Sequence, residues 1–272
     1  EVVYRLGVTS AEVVVRELDA ATGRYEERAK FDPAAEGEVP AEFTQVREQA
    51  DTRYRVALAE GVTSWQVVEG LKSVDVLTGE VAEVPAEGTL APDSYEVRAG
   101  DTRESVLTRM SEAQAVILAA AWQGRAEGLP LQSAQEALIL ASIIEKETGV
   151  ADERRQVASV FVNRLNRGMR LQTDPTVIYG VTEGKGVLGR GLRQSELRGA
   201  TPWNTYVIEG LPPTPIANPG RASIEAAVDP DTTDYVFFVA DGTGGHAFAE
   251  TLDEHNRNVA RWRAIEAERG NN

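Results

Sequence analysis

The segment that most constrains the fold is ALILASII at residues 137–144, in which every residue but one is apolar. Ser133 and Glu136 precede it with the S-x-x-E spacing that is typical of a helix-starting capping box. We predict a helix from about 134 to 148 that ends near Gly149. At about 100° per residue, its apolar side chains spread over a broad arc. The helix must therefore be buried on most sides by other parts of the chain.

Two carboxylic acids, Glu145 and Glu147, stand at the end of this apolar helix. In projection Glu147 falls between Leu140 and Ile143, inside the apolar arc, whereas Glu145 lies nearer its edge. Burial disfavours the charged form of a carboxyl and raises its pKa, so Glu147 is the better candidate for a general acid. The alternative is that both are solvated acids in the last helical turn, even though negative charge there is mildly unfavourable.

The rest of the second half predicts two further helices and a hairpin. One helix is expected from Asp152 to Gly168, with apolar residues along one side. Residues 235–251 predict two strands joined by a Gly-rich turn, and Leu252 to Arg269 predicts a polar helix. Strands and helices mix without a βαβ rhythm, which favours an α+β fold.

The first half contains a weak internal repeat at residues 4–18, 54–71 and 95–110. Each copy predicts a short strand, a glycine turn and an amphipathic helix. The residues expected to cap these helices are Thr9, Thr63 and Thr102. Between the first two copies, residues 22–45 are polar and dotted with Pro and Gly, which predicts a long loop or irregular insert.

The composition excludes several classes of function. The formal net charge of −15 argues against a nucleic-acid partner, because a protein that neutralises phosphates needs a basic face. The absence of Cys excludes a thiolate nucleophile and a disulfide. The longest apolar run, residues 115–122, is far shorter than the roughly 20 residues of a membrane span. Because the chain begins at Glu1 and not at Met, we expect an upstream signal or membrane anchor.

Residues 167–180, RGMRLQTDPTVIYG, carry a dense set of hydrogen-bonding groups after the second helix. Those that could line a sugar-binding cleft are Gln172, Thr173, Asp174 and Tyr179. The alternative for Asp174 is that it merely caps a short helix beginning at Pro175.

Residues 201–220, TPWNTYVIEGLPPTPIANPG, are rich in Pro, Asn and aromatic residues. Trp203 and Tyr206 could stack on sugar faces, and Asn204 and Asn218 could bind acetamido groups. The alternative is that the prolines simply fix an ordered connection.

Motifs of other chemistries are absent from the sequence. His246 and His255 are the only histidines and have no metal-ligand spacing, so we expect no metal ion. No GxSxG elbow, P-loop or GxGxxG follows a strand, so serine acyl transfer and nucleotide binding lack support, and no cofactor is expected.

Several segments together resemble the YceG-like family of endolytic murein transglycosylases. They are LILASIIEKETGVADERRQVASVFVNRLNRGMRLQTDPTVIYG (138–180), NTY (204–206), GLPPTPIANPG (210–220) and FVADGTGGHAF (238–248). The resemblance implies an α+β chain with a LysM-like N-terminal region over 1–85 and a YceG-like catalytic domain over 86–272.

The family resemblance implies cleavage of the β-1,4 bond between N-acetylmuramic acid and N-acetylglucosamine within peptidoglycan strands, leaving 1,6-anhydro ends. The family's catalytic glutamate, the second Glu of E-K-E-T, corresponds to Glu147, in agreement with the burial argument. The side chains expected to orient substrate or Glu147 are Asn163, Gln172, Thr173, Asp174, Tyr179, Asn204, Tyr206 and Asn218.

The expected partners are peptidoglycan glycan strands and penicillin-binding proteins of strand synthesis. The expected location is the outer face of the cytoplasmic membrane, reached through an anchor upstream of Glu1. Two other functions stay open at this stage. One is a non-enzymatic wall-binding protein, and the other is a hydrolytic muramidase in which Asp174 is a second catalytic acid.

Overall fold

The N-terminal part of the chain forms a five-stranded mixed sheet. The computed structural model describes residues 1–35 and 37–270. The strand order is β3-β2-β1-β4-β5, in which β1 and β4 are parallel and every other neighbouring pair is antiparallel. The elements of this part are β1 (Val2–Leu6), β2 (Ala11–Asp19), β3 (Arg24–Phe31), α1 (Ala41–Arg47), β4 (Tyr54–Leu58), α2 (Ser64–Lys72), β5 (Ser94–Val97) and α3 (Arg103–Gln123).

The predicted strand–turn–helix unit is present in the second and third repeats. Thr63 closes a capping box with Gln66 at the start of α2, and the Thr102 side chain accepts a hydrogen bond from the Ser105 amide at the start of α3. The prediction for the first repeat is wrong, because Ala11–Asp19 is strand β2, paired with β1. Its Val13–Val15 run is β-branched and fully buried, which suits a sheet better than a helix.

The prediction of an irregular insert over 22–45 is also wrong. Arg24–Phe31 is strand β3, antiparallel to β2, and Ala41–Arg47 is helix α1. The Phe43 ring of α1 packs edge-on against Phe31 with ring centroids 5.1 Å apart. A polar strand such as β3 has little apolar periodicity, so its sequence alone does not predict a strand. Its conformation depends on pairing with β2. Residue 36 of this range lies outside the described residues.

The first hydrophobic core continues beyond residue 85. It contains Leu90, Val97 of β5, and Val106 and Met110 of α3, together with residues of the preceding strands β1, β2 and β4. The first core therefore includes residues on both sides of the boundary expected between 85 and 86. The LysM-like character of this region stays a prediction. The last two residues of the expected catalytic range, 271 and 272, lie outside the described residues.

The second core is built around the predicted apolar helix. That helix is confirmed as α4 (Ala134–Glu147), with the Ser133 hydroxyl accepting from the Glu136 amide at 3.2 Å. All residues from 137 to 144 are buried. The other elements are α5 (Arg154–Asn166), preceded by the short 3₁₀ turn Ala151–Glu153, then α6 (Asp174–Thr182), α7 (Gln194–Leu197), α8 (Arg221–Val228), β6 (Phe237–Ala240), β7 (His246–Ala249) and α9 (Leu252–Gly270).

The predicted hairpin and C-terminal helix are confirmed as β6–β7 and α9, and the fold is mixed α+β. Within the described residues, no helix combines the length and apolarity that a bilayer crossing needs.

Asn218 connects the two cores. It is fully buried, its side-chain amide donates to the Val62 carbonyl at 2.9 Å, and its side-chain oxygen accepts from the Leu90 amide at 2.9 Å. Its backbone N–H also donates to Val62 O at 2.9 Å, and its carbonyl accepts from the Gly61 amide at 2.9 Å. One side chain thus satisfies backbone groups of the first core from a loop of the second.

We expect Asn218→Ala to lower the free energy of unfolding by about 2–3 kcal/mol, because it leaves the buried Leu90 N–H without a partner. Chemical denaturation followed by circular dichroism would measure the change. Asn166→Ala, at an exposed position at the end of α5, is the matched control and should shift stability by no more than about 0.5 kcal/mol. Equal effects of the two substitutions would contradict the structural role of Asn218.

Candidate active site

A cavity of about 600 Å³ lies at the C-terminal end of α4. Its volume is within the range of about 300–1,000 Å³ that is typical of small-molecule sites. The walls come from α5, the segment before α6, the β6–β7 hairpin and α9. The lining residues are Glu147, Phe161, Arg164, Leu171, Gln172, Asp174, Tyr206, Phe237, Phe238, Val239, Leu252, His255, Asn256 and Val259.

Glu147 is the last residue of α4, and its carboxyl faces this cavity. The residue keeps a partly exposed surface, but protein atoms enclose the carboxyl group, and this desolvation raises the pKa of Glu147. The negative charge of Asp174 raises it further, whereas a hydrogen bond from Thr173 opposes the rise. Glu147 thus holds a proton more readily than an ordinary glutamate.

The Thr173 hydroxyl donates a hydrogen bond to Oε1 of Glu147. Thr173 is 2% exposed. Its own amide donates to the Thr205 hydroxyl at 3.0 Å, and the preceding Gln172 amide donates to the Thr205 carbonyl at 3.2 Å. The Thr205 hydroxyl also contacts that of Thr176 at 2.8 Å. A buried set of threonines therefore fixes the donor that orients Glu147.

Gln172 adopts a left-handed backbone conformation, with φ of 50°. A residue other than glycine is uncommon in this region and indicates local strain. The turn occurs at the step that carries the chain from the exposed Gln172 to the buried Thr173. The surrounding hydrogen bonds to Thr205 hold it in place.

Asp174 is the first residue of α6, with Pro175 after it, and Thr173 holds the N-cap position without a side-chain cap. The alternative prediction, that Asp174 caps a helix beginning at Pro175, is therefore wrong. The Tyr206 hydroxyl donates to Oδ1 of Asp174 at 2.6 Å. Burial and the Asp174 carboxylate both raise the pKa of Tyr206, so Tyr206 remains a donor. Asp174 is exposed, whereas Glu147 is enclosed, so the two carboxylates have different environments.

Arg164 lies in the cavity wall and was not predicted from the sequence. Its guanidinium donates to the carbonyls of Val236 at 2.7 Å and Leu171 at 2.8 Å. These bonds tie α5 both to the segment that leads to Thr173 and to the start of the hairpin. Its positive charge also opposes the rise in the pKa of Glu147. Thr205 was missed too, although it stands between two predicted residues, Asn204 and Tyr206.

The Glu145 carboxylate contacts the start of α8 and not the cavity. Its Oε2 accepts hydrogen bonds from the Gly220 amide at 2.9 Å and from the Ser223 hydroxyl at 2.7 Å, at the start of α8. A carboxylate at a helix N-terminus is electrostatically favourable. The two glutamates predicted from one motif therefore differ in surroundings: one holds α8, and the other faces the cavity.

Four predicted residues lie away from this cavity, with their side chains bound to other groups. Asn163 donates to the Thr233 and Tyr235 carbonyls, both at 2.8 Å. Asn204 is fully buried and donates to the Gly199 carbonyl at 2.7 Å, and Asn218 joins the two cores. The Tyr179 hydroxyl donates to Glu87 at 3.1 Å on another side of α6. The structure brings together Glu147, Gln172, Thr173, Asp174 and Tyr206.

His246 and Glu153 form a hydrogen-bonded pair that joins β7 to the 3₁₀ turn. His246 Nδ1 lies 2.8 Å from Oε2 of Glu153, and the His246 amide donates to Oε1 at 2.8 Å. The pair attaches β7 to the turn after α4. Among residues 1–35 and 37–270, no group of three or more His, Asp or Glu side chains is arranged to hold a metal ion.

The fold and the site define an α+β protein with an enclosed carboxylic acid at the end of a buried helix, facing a partly aromatic cleft. The model of the YceG-like family matches residues 11–261. The chain belongs to the YceG-like family.

Curated relatives and a solved structure agree with this membership. A Bacillus subtilis protein named endolytic murein transglycosylase is 38% identical over 173 residues, which are 64% of this chain and 47% of that protein. A Streptococcus pneumoniae protein of the same name is 33% identical over 181 residues, 64% of this chain and 32% of that protein. The chain thus spans less than half the length of these curated relatives.

The crystal structure of a YceG-like protein from Listeria monocytogenes aligns with a TM-score of 0.64 at 28% identity. It covers 84% of this chain and 83% of that one.

We expect Glu147→Gln to raise the melting temperature at pH 7 by about 2–4 °C. Folding raises the pKa of Glu147, so the charged carboxylate destabilises the folded state at a pH above its folded-state pKa. This cost disappears as the pH falls to the pKa of the unfolded chain, where the carboxyl is protonated in both states. The gain should therefore shrink as the pH falls toward 4. Glu145→Gln is the matched control and should lower the melting temperature, because its carboxylate accepts two hydrogen bonds. The same sign for both variants at pH 7 would contradict the assignment.

Proposed function

We propose that this chain is a lytic transglycosylase that cleaves the β-1,4 bond between N-acetylmuramic acid and N-acetylglucosamine within peptidoglycan strands. The observation that carries the proposal is the enclosed Glu147 carboxyl, held by Thr173 on one oxygen and facing the cavity. The names of the Bacillus and Streptococcus relatives support the same activity.

Glu147 serves first as acid and then as base. The Thr173 hydroxyl donates to Oε1, which leaves Oε2 to carry the transferable proton. Oε2 protonates the glycosidic oxygen as the bond to muramyl C1 breaks. The resulting carboxylate accepts the proton of the muramyl C6 hydroxyl, whose oxygen closes on C1 to form the 1,6-anhydro ring. The nucleophile is already part of the substrate, so no water needs to be positioned.

The environment of Asp174 favours the lyase over a hydrolase. A two-carboxylate hydrolase needs its second acid to act as a nucleophile or to activate water. One Asp174 oxygen accepts from Tyr206, and the residue lies next to Thr173 in the chain. We assign Asp174, Tyr206 and Gln172 to orienting the strand, and Thr173 to orienting Glu147.

The location and partners follow from the proposed substrate. Peptidoglycan lies outside the cytoplasmic membrane, so we propose that the chain works there, held by an upstream membrane anchor. Cooperation with penicillin-binding proteins, and glycan binding by a LysM-like N-terminal region, are proposed on the family resemblance alone.

Mass spectrometry of products from purified peptidoglycan tests the activity. We expect anhydro-muramyl ends from the wild type and a loss of at least about 10²–10⁴-fold in Glu147→Gln, the range for loss of a general acid. Glu145→Gln, assayed below its melting temperature, should keep its activity because its carboxylate faces α8. Reducing ends heavier by one water would indicate a muramidase, and no product from the wild type would favour a wall-binding protein.

Asp174→Asn tests the single-acid mechanism. We expect turnover to stay within about tenfold of the wild type, since the amide oxygen can still accept from Tyr206. Because the Asp174 charge raises the pKa of Glu147, its removal should move the high-pH decline of kcat/KM to lower pH. Asp152→Asn, at an exposed position outside the cavity wall, should leave the pH profile unchanged. Abolished turnover with intact folding and strand binding would identify Asp174 as a catalytic acid.

A further inference from the structure

One face of α9 forms part of the cavity wall. The residues that line the cavity from this helix are Leu252, His255, Asn256 and Val259. Their spacing of three, four and seven residues places them on one side of a helix. Leu252 is 57% exposed, so its apolar side chain is accessible at one end of this face. The face therefore combines apolar side chains at its ends with polar ones at its centre.

His255 offers this face a free ring nitrogen. Its ring stacks on Phe237, with centroids 4.9 Å apart and planes 18° from parallel. Its Nδ1 is buried without a hydrogen-bond partner, whereas Nε2 is not buried and bonds no group of the described residues. Burial also lowers the pKa of His255, so the ring is neutral at pH 7. Nε2 is thus the atom that is left for a ligand.

Asn256 stands beside it with an exposed side-chain amide, which forms no hydrogen bond within the described part of the chain. An amide offers two donor hydrogens and an acceptor oxygen, which match the N–H and C=O of an acetamido group. Apolar side chains with a few free polar groups are typical of a site for a sugar, which has both kinds of surface.

The α9 face and the reacting carboxyl line one cavity, with Arg164 and Phe237 in its wall. Arg164 acts electrostatically on both Glu147 and His255. Arg164 also lies over the Phe237 ring, 5.4 Å from its centroid, and this ring stacks on His255. Arg164 and Phe237 thus line the cavity together with Glu147 and the α9 face.

We propose that this face of α9, with His255 and Asn256 at its centre, is a subsite for an N-acetylated sugar residue of the glycan strand. The inference deepens the proposed function and rests on it. The subsite holds the strand in the cavity but takes no part in the proton transfers. It therefore determines how long a strand must be to bind well.

The test is a double variant, His255→Phe with Asn256→Ala, made in the inactive Glu147→Gln background. His255→Phe keeps a ring on Phe237 and removes the unpartnered Nδ1, so the melting temperature should not fall. We expect the Kd for long glycan strands without stem peptides, measured by calorimetry, to rise about tenfold from two lost hydrogen bonds. Arg257→Ala, at an exposed position on α9 outside the cavity wall, is the control and should leave Kd unchanged.

The active enzyme gives a second readout. Restoring Glu147 should show the same rise in KM for long strands with kcat within about twofold, because the subsite binds substrate and transition state alike. A Kd change below twofold, or a loss confined to kcat, would overturn the subsite. Failure of Glu147→Gln to bind strands would overturn it as well. A wild type that releases no anhydro product would instead overturn the proposed function, while the Kd comparison still decides the subsite.

Discussion

The hydrogen bond from Thr173 to Glu147 is the contact on which the arrangement of the site depends. It joins the end of a buried helix to a segment that has no regular structure until α6 begins. A hydroxyl is a neutral donor, so it orients the carboxyl without forcing it to ionise as an arginine would. Glu147 therefore keeps a raised pKa while having a fixed direction. Both properties are needed by an acid that must hold a proton and deliver it to one point.

Helix α4 links this contact to the rest of the fold, because successive polar residues on it serve different neighbours. Ser142 accepts a hydrogen bond from the Ile216 amide at 3.0 Å, and Glu145 accepts from the start of α8. Lys146 donates to the Gly61 carbonyl at 3.2 Å, in the turn that leads to α2. Glu147 follows directly after these anchors. The position of the acid is thus set by contacts from three directions.

Sequence reasoning succeeded where local physics decides the structure. The capping box and the apolar run predicted α4, and the burial pattern placed Glu147 ahead of Glu145 as the enclosed acid. It failed where a distant partner decides. β2 has a run of valines that was mistaken for a helix, and β3 owes its conformation to pairing with β2. Thr205 and Arg164 act through backbone contacts that no spacing in the sequence encodes.

Contacts with distant parts of the fold also decide which polar residues can bind a ligand. The amides of Asn163, Asn204 and Asn218 are engaged by backbone groups, and withdrawing one for a ligand would leave a buried partner unsatisfied. Asn256 carries the same chemical group but bonds nothing among the described residues. A composition rich in Asn near a cleft therefore says little about recognition. What decides it is whether the fold has already used the amide, and the Asn256 amide on α9 has no hydrogen-bond partner among the described residues.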